Sequence, residues 1–116
     1  MKDDETVSLS VITFQDMNDR GLFLSCIPLL NIIACGESDV ESREELECIT
    51  RFHFKWCIEK GYDSVKDYIL SYDGWTIDDL GNLVEPGEEF LLENNDMYDE
   101  IISNNDVERW VLTISI

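Results

Sequence analysis

From Val7 onward the chain alternates, with Val7, Leu9 and Val11 apolar and Ser8 and Ser10 polar between them. A period of two puts one set of side chains on one face, so "VSLSVITFQD" (residues 7–16) reads as a half-buried strand. "MNDRG" follows, with Asn18, Asp19 and Gly21 as turn formers. Residues 22–27 are a second apolar run, and the two runs predict a hairpin. Pro28 has no N–H to give to a ladder, so it marks an edge, a bulge or a short turn. Residues 29–35 are expected to add a third strand and complete an antiparallel meander.

After Gly36 the period lengthens. In "GESDVESREELE", Ser38 stands three residues before Glu41, the spacing of a capping box. Asp39 and Glu41 fall in the first turn, where the helix dipole favours negative charge. The predicted helix covers 39–60 and ends at Gly61, a suitable C′ residue. At about 100° per residue, Leu46, Ile49, Phe52, His53, Trp56 and Cys57 share one arc, expected to pack on the sheet. Phe54 and Ile58 then lie on another side and need a second cover. A glycine between a strand and a helix can cradle phosphate. Here it is a single glycine without the lysine of GxxxxGK[ST], and Glu37, Asp39 and Glu41 would repel an anion. Gly36 is therefore read as a joint.

"YDSVKDYILSYDGW" predicts a short second helix, with Val65, Tyr68 and Ile69 at helical spacing and Asp73-Gly74 as its stop. Residues 75–77 begin a strand, "DDLGNLVEPGEE" is rich in turn residues, and residues 90–102 hold one short helix. "VERWVLTISI" (107–116) is β-branched and partly alternating, a terminal strand tied into the sheet. The expected fold is α+β: a three-stranded antiparallel meander packed by one long helix, a short second helix, and a C-terminal strand joining the sheet. One domain is expected over 1–116, with a core in 5–77, an acidic turn-rich segment in 78–105 and the terminal strand in 106–116.

The chain has 116 residues, enough for one packed core, and is 44% hydrophobic with a mean hydropathy of −0.17, outside the disordered range. Its charge is extreme: 26 acidic residues against 8 basic, net −18. Such a charge repels nucleic acid and anionic membranes and favours a basic partner. No run approaches a membrane span, and "MKDDETVSLS" lacks the apolar core of a signal peptide, so a cytoplasmic protein is expected. Cys26, Cys35, Cys48 and Cys57 form no CxxC pair and sit in apolar segments, as buried free thiols do.

The charge is also uneven. Between Asp67 and Glu108 there is no Lys or Arg, and that window holds thirteen acidic residues. Asp78, Asp79, Glu85, Glu88, Glu89, Glu93, Asp96, Asp99 and Glu100 are the candidate partner-binding residues. Cations gather instead on the first helix, at Arg43, Arg51, Lys55 and Lys60.

Signals for catalysis are weak. His53 is the only histidine, which leaves no usual zinc set, and it is read as a core or boundary residue. Cys57 lies four residues on, but both face the sheet in this reading, and apolar surroundings disfavour a thiolate. Asp16 and Glu37, near strand ends, are the carboxylates nearest to a metal-nuclease arrangement, which needs several converging on two ions. Trp56, Trp75 and Trp110 are read as core or core-edge residues. No cofactor, no metal and no catalytic residue is expected.

The order of elements over residues 7–80 resembles the HicB-like antitoxin family, a partial RNase H-like fold. The resemblance is carried by the hairpin, the proline-led "IPLLNIIACG", the helix start "GESDVESREEL", and the exit "EKGYDSVKDYILSYDGW"; "WVLTISI" is similar to the terminal strand of longer members. No DNA-reading segment is visible in the acidic C-terminal third. The resemblance implies a non-catalytic protein that binds and neutralises a small basic partner, a HicA-like toxin or another RNA-binding or RNA-cleaving protein; the acidic charge predicts no direct contact with nucleic acid. A homodimer is plausible through the sheet edge. Two alternatives stay open: an acidic nucleic-acid mimic or immunity protein against another toxin or nuclease, and an enzyme with a residual RNase H-like site.

Overall fold

The computed structural model describes residues 6–19 and 21–115. The N-terminal "MKDDE", Arg20 of the first turn and Ile116 of the terminal strand lie outside the described residues. Strand β1 (Thr6–Gln15) pairs antiparallel with β2 (Phe23–Ile27), and β2 with β3 (Ile32–Gly36). Between β2 and β3 the chain makes one 3-10 turn, Pro28–Leu30. Asn31 closes that turn in the left-handed region at φ 55°, which asparagine tolerates better than most residues. The terminal strand β6 (Glu108–Ser115) pairs antiparallel with β1, so the sheet has four strands in the order β3-β2-β1-β6.

Helix α1 (Asp39–Glu59) crosses one face of this sheet. Ser38 Oγ accepts from Glu41 N–H at 3.0 Å, the cap that the spacing predicted. At the other end Tyr62 N–H reaches Cys57 O and Gly61 N–H reaches Ile58 O, a Schellman closure with Gly61 at φ +112°. Gly36 is a joint in a strict sense. A Cβ there would lie 2.7 Å from Ser42 N and 2.9 Å from Glu41 Cγ, so only glycine lets β3 pass this close to the first turn of α1.

The face that α1 buries differs from the expected arc. Ser42, Leu46, Thr50, Phe54 and Cys57 are buried, whereas Phe52 is 73% exposed, Trp56 45% and Ile49 36%. Phe54 needs no second cover: it sits in the main core, with Ile58 packed against it. The physical reason is that two positions on the buried row carry hydroxyls which bond back to the helix itself. Thr50 Oγ1 donates to Leu46 O at 2.6 Å and Ser42 Oγ to Asp39 O at 2.9 Å. Satisfied in this way they can be buried, and an arc fitted to apolar residues alone is rotated away from the true one.

The main core joins Val7, Leu9 and Val11 of β1, Leu112 and Ile114 of β6, and Leu46, Phe54 and Cys57 of α1. Helix α2 (Val65–Leu70) adds Val65, Tyr68 and Ile69, the three residues read at helical spacing. Residues 76–84 form a second, two-stranded sheet, β4 (Thr76–Ile77) with β5 (Leu83–Val84).

Residues 88–104 hold two helices where one was expected: α3 (Glu88–Asn94) and α4 (Asp96–Asn104). Asn95 divides them. Its extended backbone ends α3, and its side chain accepts from Tyr98 N–H at 3.0 Å to start α4. The same side chain donates to Pro28 O at 3.2 Å, which ties the joint to the β2–β3 turn. These helices cover the other face of the sheet, where Ile12, Cys26 and Tyr98 form a smaller core. Of the four cysteines only Cys26 and Cys57 are buried; Cys35 and Cys48 are free and exposed, because they fall on the solvent sides of β3 and α1.

Candidate functional site

The nine acidic candidates divide by environment. Asp78 serves its own turn: its carboxylate accepts from the N–H groups of Leu80 and Asn82, each at 2.9 Å. These bonds, that of Asn82 foremost, hold the carboxyl below its ordinary pKa. Asp79 is exposed beside it. Glu85 is half-buried and accepts from the backbone N–H of Ser10 at 2.9 Å, which ties the segment after β5 to β1.

Glu88 opens α3 and is engaged twice. It accepts from Tyr98 O–H at 2.9 Å and from Arg109 at 3.2 Å. Arg109 also donates to the Tyr98 oxygen at 2.7 Å, so α3, α4 and β6 meet in one three-residue cluster. The first cation after the acidic window is thereby committed to an internal carboxylate. Glu89 and Glu93 on α3, and Asp96, Asp99 and Glu100 on α4, are exposed. Among the described residues these five have no hydrogen-bonded or ionic partner for their carboxylates. The nine share one stretch of the sequence; the structure separates six that are free, Asp79 and the five on α3 and α4, from three that hold the fold.

Beside the cluster lies a cleft of about 350 Å³, lined by Ser10, Ile12 and Val111 of the sheet and by Pro86, Glu88, Tyr98 and Arg109. Its charged walls are already engaged, Glu88 with Arg109 and Glu85 with the Ser10 N–H. Arg109 was missed from the sequence because its role depends on β6 lying next to β1, far away in the chain.

The groups weighed for catalysis are placed otherwise. His53 Nε2 lies 2.6 Å from Tyr68 O–H, which lies 2.7 Å from Tyr72 O–H. Burial lowers the His53 pKa and raises that of the Cys57 thiol. His53 thus bonds to a tyrosine, and Cys57 is a protonated core residue. Trp75 is buried and Trp110 half-buried, but Trp56 stands largely in solvent. Asp16 accepts from Asn18 N–H and stabilises the first turn. Among the described residues no three His, Cys, Asp or Glu side chains converge on a possible metal position. No helix among them is long and apolar enough to cross a membrane.

Compared with protein-family models, with curated proteins and with solved structures, the chain finds no match.

Proposed function

We propose that the protein is a non-catalytic binding protein of the HicB-like antitoxin type, which neutralises a small basic RNA-binding or RNA-cleaving partner such as a HicA-like toxin. The observation that carries this reading is the set of five exposed, unpartnered carboxylates on α3 and α4, Glu89, Glu93, Asp96, Asp99 and Glu100. No lysine or arginine lies between Asp67 and Glu108 to relieve them, and Arg109 is engaged by Glu88. Like charges held this close raise the local potential. A basic surface docking there removes the repulsion and is steered in by it. The mechanism is occlusion: the carboxylates occupy the surface with which the partner holds phosphate.

The test begins with the native lysate at low salt. A small basic protein should be retained and should leave in a salt gradient. The triple variant Glu89→Lys, Glu93→Lys and Asp96→Lys should then associate with it at least about tenfold more slowly at low salt, with a shallower salt dependence. Unchanged association would overturn the electrostatic account. If the retained protein is a nuclease unrelated to HicA-like toxins, the same occlusion describes an immunity protein.

A further inference from the structure

We infer that the outer face of α1 is a contact surface for a second copy of this chain, with the two α1 helices antiparallel. Ile49, Phe52 and Trp56 stand at i, i+3 and i+7 and are 36%, 73% and 45% exposed, so they form one stripe on the side away from the core. Glu45 continues the stripe one turn earlier, giving the four-three-four spacing of a helix-pairing seam. One end of the stripe, Trp56, is held in place. His53 stacks on Trp56 with ring centroids 5.9 Å apart, and Lys60 Nζ lies 5.9 Å from the Trp56 ring on α1's C-terminal side. Side chains already held in place lose little freedom on docking.

Charge chooses the occupant and its direction. The exposed charges of the first half of the helix are Glu41, Glu44 and Glu45. Arg43, the cation of that half, is turned toward Asp39, Glu108 and the Trp110 ring. The exposed cations Lys55 and Lys60 lie in the second half, together with Glu59; Arg51, exposed there too, is shared between Glu47 at 3.8 Å and Ser115 O, to which it donates at 3.1 Å. A parallel pair would set acid against acid. An antiparallel pair sets each acidic half against the other copy's basic half. Centred between Ile49 and Phe52, it packs Ile49 on the second copy's Phe52 and brings Glu45 to the second copy's Trp56 and Lys60. The contact is isologous and closes at two copies. It leaves α3 and α4 free, because they cover the opposite face of the sheet.

Sedimentation equilibrium of the full chain tests this. The expected result is a monomer–dimer equilibrium that tightens as NaCl rises, since two copies at −18 repel each other through solvent. Phe52→Glu, on an exposed side chain, should keep the wild-type circular dichroism and weaken the dimer about tenfold or more. Glu45→Lys and Lys60→Glu should each weaken it, and the double variant should recover most of the loss. A wild-type chain that stays monomeric at every salt and concentration overturns the proposal and leaves the stripe for another protein. A dimer that survives Phe52→Glu places the contact elsewhere, such as the β6 edge. Loss without recovery in the charge swap refutes the antiparallel arrangement.

Discussion

Ser25→Ala should cost far more than the removal of one oxygen suggests. Ser25 is 0% exposed on β2, and its hydroxyl lies 2.7 Å from Thr13 Oγ1 and 2.8 Å from Ser42 Oγ. Two fixed ends set the direction of the whole chain of bonds. Trp110 Nε1 donates to Thr13 Oγ1 at 2.8 Å, and Ser42 Oγ donates to Asp39 O at 2.9 Å. Ser42 therefore accepts from Ser25, Ser25 accepts from Thr13, and every hydroxyl proton has one acceptor. The relay ties β6, β1, β2 and α1 together through the core. Alanine at 25 leaves the Thr13 O–H with no acceptor at a site 2% exposed. An orphaned buried donor costs about 1–3 kcal/mol, and the lost bond to Ser42 brings the expected total to roughly 2–3 kcal/mol. For a chain of this length that is roughly a 10 °C fall in Tm. Urea unfolding followed by tryptophan fluorescence should show a lower midpoint with an unchanged slope. A double-mutant cycle sharpens the test. Ser42→Ala alone orphans the Ser25 proton, but the double variant orphans only Thr13. The double should therefore cost about as much as one single variant, a coupling of about 2–3 kcal/mol. Full additivity, or a Ser25→Ala variant within about 0.5 kcal/mol of wild type, would refute the directed relay.

Two further predictions follow from the side-chain environments. At pH 8 under native conditions a disulfide reagent should label Cys35 and Cys48 quickly, while Cys26 and Cys57 should react only on unfolding, because burial raises both thiols, that of Cys26 to about 12; four equal rates would contradict the packing of β2 and α1. Burial holds His53 below its ordinary pKa of 6.5, so between that lowered value and 6.5 the unfolded chain binds the extra proton. Stability should then rise with pH through that window and be lost as pH falls through it. Urea midpoints of wild type and His53→Gln should diverge at pH 7 and converge toward pH 5; parallel profiles would show that His53 is not titrating there.

Local signals in the sequence read well, and long-range ones did not. The Ser38 cap, the Gly61 stop, the α2 residues and the four sheet strands each announce themselves within a few positions. The orientation of α1 did not, because Ser42 and Thr50 look polar until their hydroxyls are seen bonded to the helix carbonyls. Asn95 was a legible cap that an apolar count over residues 90–102 passed over. The acidic window was visible as composition. Its division into structural carboxylates, Glu85 and Glu88 among them, depends on β1 and β6 being neighbours, which no local spacing encodes.

The same long-range arrangement gives the molecule two faces with opposite electrostatic behaviour. On one side of the sheet, α3 and α4 present carboxylates without relief, and a complex formed there must weaken as salt rises. On the other, α1 presents an apolar stripe whose few charges offset one another, so bringing two copies together is opposed chiefly by their total charge. Salt screens that opposition and strengthens the contact. The two proposed associations would therefore be told apart by the sign of a single slope, and neither would block the other. Two antiparallel α1 helices carry both acidic faces outward, so a dimer presents two such faces and gains avidity only for a partner whose basic sites span both. Phe52→Glu separates the effects: it should remove the avidity and leave the intrinsic association of one acidic face with its partner unchanged. A loss of that intrinsic association in a folded, monomeric Phe52→Glu variant would mean that α1, rather than α3 and α4, meets the partner.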